Sequence, residues 1–405
     1  MRILHTSDWH LGQHFMGMTR QAEHAAFCEW LIDQVKAHQV DAVVIAGDIF
    51  DTGAPPSYAR EQYNRFVVAL KQTGAELVVL GGNHDSVAML NESKTLLGYI
   101  GAHVVPNAGS TDEPLVLHTR SGKPGAVICA IPFIRPRDVL VSEAGQSAQT
   151  KQQLLQRAIE AHYQMLYQKA QAKVSELGGE LPIIATGHLT TVGASASESV
   201  REIYVGSLEA FPTQAFVPAD YIALGHIHRS QKVGGLNHIR YSGSPIALSF
   251  DEAKQQKQVL LVDIEVGSAL VTECCVPCFQ PMASVKGNLK ELAQALRALD
   301  QENTSDNSLW VEVTVQGDDY LSDLHQRLNE LSQGLRVEIL RVKRERRMSA
   351  SQMDIASSQT LDELDPMQVF TRRLEAEALE AELADSLSQL HQEVLNELSA
   401  PEGHA

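Results

Sequence analysis

Five times in the first 230 residues a short aliphatic run ends in a small residue and then in histidine, aspartate or asparagine. The stretches are RILHTSDWH from residue 2, AVVIAGD from 42, ELVVLGGNHD from 76, LPIIATGH from 181 and DYIALGHIH from 220. Each run is short and β-rich, so it reads as a strand, and amphipathic helical stretches lie between them. That alternation, from residue 1 to about 265, is the mark of an α/β layer fold. Strands are expected at 2–7, 42–46, 76–81, 126–131, 181–186 and 220–224, with further β-rich blocks at IRYSGSPIALSF and KQVLLVDIE. In TRQAEHAAFCEWLIDQVKAHQ, Thr19 reads as the N-cap of a helix whose inner face carries Ala26, Phe27, Trp30, Leu31 and Val35.

Open α/β sheets build their sites just beyond the C-terminal ends of their strands. The polar residues stand there in order: Asp8 and His10, then Asp48, then Asn83 and His84, then His188, then His226 and His228. Residues two apart on an extended backbone point the same way, so Asp8 and His10 can reach one object while Trp9 turns into the core. Gly47, Gly82, Gly187 and Gly225 each precede the first donor of a motif, where positive φ or close backbone approach is needed. Core packing alone gives no reason for that repetition.

Two carboxylates, one amide oxygen and five imidazoles form a transition-metal set, because all-oxygen cages suit calcium or magnesium and thiolates suit zinc or iron–sulfur clusters. Such a set exceeds what one ion takes. With one carboxylate shared it fits two ions roughly 3.5–4 Å apart, and Asp48 is the natural bridge. The remaining histidines have no motif around them and read as surface or satisfied core groups; His5, inside the first strand, is expected to be buried and hydrogen-bonded. Asp85 reads equally as a group that orients His84 and as a helix cap.

Five cysteines, three of them in CCVPC at 274–278, are an odd number in a 405-residue chain with no second CxxC, so they read as reduced and structural. No apolar run approaches the ~20 residues of a spanning helix, and the N-terminus turns polar too soon for a signal peptide. A cytoplasmic protein with no membrane partner is expected. The net charge of −17 would oppose nucleic acid if spread evenly, but residues 361–405 hold 11 Asp and Glu against 2 Arg. The acidity therefore leaves a DNA substrate open.

At about residue 280 the pattern changes. MASVKG, NLKELAQALRAL, LWVEVTV, YLSDLHQRLNEL and LRVEILRVK read strand, helix, strand, helix, strand, enough for a small second α/β domain at 280–345. The polar stretch 346–360 reads as a linker, and 361–400 as a helical segment in which Leu383, Leu387, Leu390, Val394 and Leu398 form an apolar stripe. From pattern alone the stripe folds back on the body or docks on a partner helix with equal ease.

The ordered series DxH at 8–10, GD at 47–48 with Asp51 following, GNHD at 82–85, GH at 187–188 and GHxH at 225–228 resembles the calcineurin-like metallophosphoesterases. Where that family often carries an arginine after the second aspartate, this chain has Thr52. With GDIFDTGAPPSYAR, GNHDSVAMLNES, IATGHLTTVGAS and YSGSPIALSF, the resemblance narrows to bacterial DNA nucleases that work with an SMC-like ATPase, and it covers nearly the whole chain. It implies a β-sandwich flanked by helices over 1–279, a capping domain, and a C-terminal segment that binds the ATPase's coiled coil. It also implies DNA exonuclease and endonuclease activity in repair, recombination and replication, and a homodimer within a heterotetramer, for which the helices at 57–72 and 89–100 are candidates. Asp8, His10, Asp48 and His228 would hold one manganese and Asp48, Asn83, His188 and His226 the other, leaving His84 as the catalytic residue that stabilises or protonates the leaving oxygen. Two further readings are a phosphodiesterase or phosphatase on small phosphate esters and a non-catalytic scaffold; complete donor motifs weigh against the second.

Overall fold

The computed structural model describes residues 1–109, 112–140, 147–200, 210–316 and 324–345, with 370, 386, 387, 390 and 391. Described residues up to 315 and from 324 to 343 form one compact unit. The expected linker at 346–360 and all but five residues of the helical segment at 361–400 lie outside the described residues.

Two six-stranded sheets stack face to face. In the first the order is Ser268–Cys275, Gln258–Glu265, Arg2–Thr6, Ala42–Ile45, Glu76–Leu80 and Ala102–Val105; in the second it is Gln231–Val233, Leu236–Tyr241, Tyr221–Gly225, Ile183–His188, Pro124–Cys129 and Leu115–His118. The four strands from Arg2–Thr6 to Ala102–Val105 run parallel, as do the four central strands of the second sheet. Parallel strands collect their C-terminal ends along one edge, which is where the polar motifs stand.

Residue parity divides the core. Ile3, Ala42, Val44, Val78 and Leu80 face the second sheet, where they meet Ile128, Ile184 and Ala223. Their neighbours Leu4, Val43, Ile45, Leu77 and Val79 face helices Gln21–Ala37, Ser57–Thr73 and Val87–Tyr99. The 29-residue helix Ala148–Glu176 covers the outer face of the second sheet. Strands buried on both faces read as continuous apolar runs, and that is why they were visible in the sequence. Ser268–Cys275 was not visible, because it is an edge strand, half exposed along its length, that pairs antiparallel with Gln258–Glu265. It ends in Cys274 and Cys275, which with Cys278 are free thiols.

Helix Gln21–Ala37 begins one residue later than Thr19 would set it, with Arg20 in the cap position and no side-chain cap. Arg20 is drawn instead into the interior, where it is 1% exposed and pairs with Glu23. Its guanidinium lies 5.4 and 5.8 Å from the rings of Phe15 and Trp310, which stack with centroids 5.8 Å apart.

Trp310 belongs to a three-stranded sheet, Met282–Gly287, Leu309–Val315 and Val337–Arg344, covered by helices Leu289–Glu302 and Leu324–Ser332. Asn288 and Glu291 close a capping box at the first helix, and Leu292, Leu296, Val311, Val313 and Leu328 form a core of its own. Trp310, Met282, Phe15 and Phe250 join this layer to the two large sheets. No helix among the described residues is long and apolar enough to cross a membrane.

Removing the indole at this junction forfeits its burial and two ring contacts. Trp310→Ala is expected to cost about 3–5 kcal/mol, read from the midpoint and slope of urea unfolding followed by circular dichroism.

Candidate metal centre

Four of the donors hold left-handed backbone themselves, with φ of 55° at Asp8, 48° at His10, 51° at Asp48 and 92° at His226. Such conformations cost on the order of 1–3 kcal/mol each and persist only where surroundings enforce them. Here the enforcement is backbone pairing between turns: Asp8 N–H donates to Gly47 O at 3.0 Å and His10 N–H to Asp48 O at 3.1 Å. Trp9 between them is fully buried, with its ring 5.2 Å from Phe27 and 4.9 Å from Phe66. Of the preceding glycines, Gly47 takes the expected positive φ, 93°. Gly82 serves the other purpose, since a Cβ there would stand 2.1 Å from Asp48 Oδ1.

All eight polar residues come together, and none is more than 7% exposed. Asp8, His10 and His228 form one group, His10, Asp48 and His84 a second, and Asp48, His188 and His226 a third, with donor atoms in each group within 4.8 Å of one another. Asp48 belongs to two of them. Its Oδ2 lies 3.1 Å from His188 Nε2 and 3.7 Å from His10 Nε2, while Oδ1 accepts the His84 N–H at 2.9 Å. Asn83 Oδ1 lies 2.9 Å from His188 Nε2 and 3.0 Å from His226 Nδ1.

The rings are held from behind. His188 Nδ1 contacts Ala46 O at 2.8 Å, His84 Nδ1 contacts Asp51 O at 2.8 Å, and His228 Nδ1 contacts Ser199 Oγ at 2.6 Å. Each contact leaves the other ring nitrogen for the interior of the cluster, the usual arrangement behind a ligating histidine. Asp51 also places a carboxylate oxygen 3.3 Å from His10 Nδ1.

Asp85 neither orients His84 nor caps a helix. Its carboxylate accepts the N–H groups of Gly82, Ile49 and Phe50 at 2.8, 3.2 and 3.0 Å, tying two donor turns together. The cap of Val87–Tyr99 is Ser86, which accepts from Met89 N. Burial and the charge of Asp48 push the Asp85 carboxyl up to about 6. Sequence reasoning passed over Glu252, which faces His228 Nδ1 at 3.3 Å; it stands in an ordinary acidic turn with no motif around it.

Charge in the cluster is balanced between its carboxylates and imidazoles. Burial opposes charge on Asp48, yet the imidazoles of His188, His84 and His10 hold its carboxyl well below the usual range. Burial likewise opposes protonation of His188, but Asp48 overrides it and raises that ring to about 9. Burial and the charge on His188 drive His226 down to about 3. The buried His10 makes no well-aligned hydrogen bond from either nitrogen, its nearest acceptor being Asp51 Oδ1 at 3.3 Å from Nδ1. Five imidazoles, two carboxylates, of which Asp48 belongs to two of the groups, and an amide oxygen are a donor set that would fit two divalent transition ions.

The stacked sheets and this donor set define the class of phosphoesterases, and residues 1–230 match the family model described as Calcineurin-like phosphoesterase. Residues 278–378 match SbcD_C, described as Type 5 capsule protein repressor C-terminal domain. The chain is 49% identical over 402 residues to SbcD of the nuclease SbcCD from Escherichia coli K12, covering 98% of this chain and 99% of that one. The SbcD proteins of Rhodobacter capsulatus and Bacillus subtilis are 35% identical over 280 residues and 32% over 328. These cover 66% and 80% of this chain and 68% and 81% of theirs. The chain belongs to the SbcD family of calcineurin-like phosphoesterases.

A ligating histidine must be neutral, so cation binding displaces protons. With His188 raised to about 9, its proton is bound at pH 7.5 and absent well above pH 9. Loading with divalent ions is expected to release about one proton per chain at pH 7.5 and close to none at pH 10, measured by calorimetry in buffers of different ionisation enthalpy.

Proposed function

We propose that this chain is a metal-dependent DNA nuclease, cutting duplex ends as an exonuclease and hairpins or single strands as an endonuclease. It works in repair, recombination and replication as the nuclease subunit beside an SMC-like ATPase of the SbcC type. The observation that carries the reading is the convergence of eight buried donors, from five strand ends, on one cluster in which Asp48 is shared. The 49% identity to the SbcD component of an SbcCD nuclease supports the substrate and the partner.

Asp8, His10, Asp48 and His228 would hold one divalent ion and Asp48, Asn83, His188 and His226 the other, with manganese the ion proposed. Bound there, two such ions supply Lewis-acid neutralisation of the phosphodiester and an acidified water. His84 does the protonic work. Its Nδ1–H donates to Asp51 O, which fixes the ring, and burial lowers its basicity, so a protonated Nε2 gives its proton readily to the leaving oxygen. A cleft of about 750 Å³ opens beside it, bordered by Thr52, Ser86 and Arg137.

The chain is organised as a nuclease region at 1–279, a capping domain at 280–345, a linker at 346–360 and an ATPase-binding segment at 361–400. No GxxxxGK[ST] occurs in the sequence, so any ATP is bound by the partner, and the leucine stripe from 383 to 398 docks on that partner's coiled coil. Val68, Leu96 and Tyr99, 54%, 69% and 86% exposed on helices Ser57–Thr73 and Val87–Tyr99, support a homodimer through that face.

A nuclease assay with manganese on hairpin and duplex DNA, with ATP and the ATPase added or withheld, tests the reading against a small phosphodiester as control. Turnover of the small diester without cleavage of DNA would replace it with a small-ester phosphodiesterase. His84→Ala is expected to keep both ions and DNA binding while cleavage falls about 10²–10⁴-fold; cutting at the normal rate would remove His84 from the mechanism.

A further inference from the structure

Glu252 is fully buried at the end of the turn Phe250–Glu252, and both of its oxygens are engaged. Oε2 accepts Lys257 Nζ at 2.6 Å, Leu248 N–H at 3.0 Å and Ser244 Oγ at 3.3 Å. Oε1 accepts Ser197 Oγ at 2.6 Å and the Ser199 hydroxyl, and stands 3.3 Å from His228 Nδ1. Ser199 Oγ is itself 2.6 Å from that ring nitrogen. Lys257, 9% exposed, also donates to His228 O at 3.1 Å.

Burying a carboxylate and an ammonium together costs several kcal/mol of desolvation that their attraction does little more than offset, so such a pair is weak evidence of a stabilising role. What sets this one apart is its place. It holds the back of one donor ring by Nδ1 and the same residue's carbonyl, and no other of the eight donors has a carboxylate and a lysine behind it among the described residues. A ring whose Nδ1–H is committed to an oxygen keeps the lone pair of Nε2 for a cation.

We propose that Glu252 is a positioning residue for the ion held by Asp8, His10 and His228. Together with Ser199 it fixes the tautomer and rotation of His228, and Lys257 anchors the carboxylate from the far side at 2.6 Å. The inference rests on the metal reading above and adds a demand that reading does not make: loss of Glu252 weakens one ion and spares the other.

Calorimetric titration of the full chain with Mn²⁺, alongside the electron paramagnetic resonance of the bound ions, tests it. The unaltered chain should bind two ions per chain. In Glu252→Gln, which preserves shape, one of them should weaken about 10–100-fold while the other stays within about twofold. Ser199→Ala, on a half-exposed loop, removes only the bridging hydroxyl and should weaken the same ion by a smaller factor; it decides the matter if the glutamine variant does not fold. Folded variants with both affinities unchanged, or with both ions weakened alike, overturn the proposal. An unaltered chain that binds no Mn²⁺ overturns the metal reading and this inference with it.

Discussion

The site depends on a seam of buried hydrogen bonds where the two sheets meet. His5 of the first sheet places Nδ1 2.9 Å from Tyr221 Oη and Nε2 3.2 Å from Leu224 O of the second. Further along, Asp8 Oδ1 accepts the His226 N–H at 2.9 Å, and His188 Nδ1 reaches across to Ala46 O at 2.8 Å. A net hydrogen bond is worth only about 0.5–1.5 kcal/mol, but a buried polar group left unpaired costs more, so a shift of one sheet against the other is penalised at each of these points. The apolar layer between the sheets supplies the attraction. The polar seam sets their relative position, and with it the distance between donors from residues 8 to 83 and donors from 188 to 228.

The same edge stores conformational strain. Left-handed backbone at Asp8, His10, Asp48 and His226 turns four side chains inward from strand ends that would otherwise direct them along the sheet. Aspartate and histidine tolerate this conformation better than most residues, but the φ of 92° at His226 lies beyond the usual left-handed range. Long-range contacts hold these turns: the His226 N–H donates to Asp8 Oδ1, the Asp85 carboxylate accepts the N–H groups of Gly82, Ile49 and Phe50, and Trp9 is wedged between Phe27 and Phe66. Stability gained in the core is spent on a preorganised cluster.

A second line of contacts runs from the small three-stranded sheet to the same place. Trp310 stacks on Phe15, Phe15 packs on Phe250, and Glu252 lies two residues beyond Phe250. Arg20 closes the junction from below, using its charge on Glu23 and its flat face on the rings. The far layer is thus packed against the very turn that carries the carboxylate behind His228.

Local chemistry was legible where the sequence repeats it. An aliphatic run, a glycine and a polar residue specify a buried parallel strand and the donor at its end, and His5 is placed by strand parity, whereas the inward turn of Trp9 is set by the left-handed backbone at Asp8 and His10. Asp85, Glu252 and the edge strand Ser268–Cys275 were not legible, because an acid gripping distant backbone and a strand half exposed to water carry no periodic signal. The sequence by itself therefore determined which residues stand at strand ends, since strand period and turn chemistry act over a few residues. Only the tertiary structure decided which of them meet, which nitrogen each ring offers and what stands behind it. Those outcomes are set by packing two sheets that bring together residues as distant in the chain as Asp8 and His226, 218 positions apart.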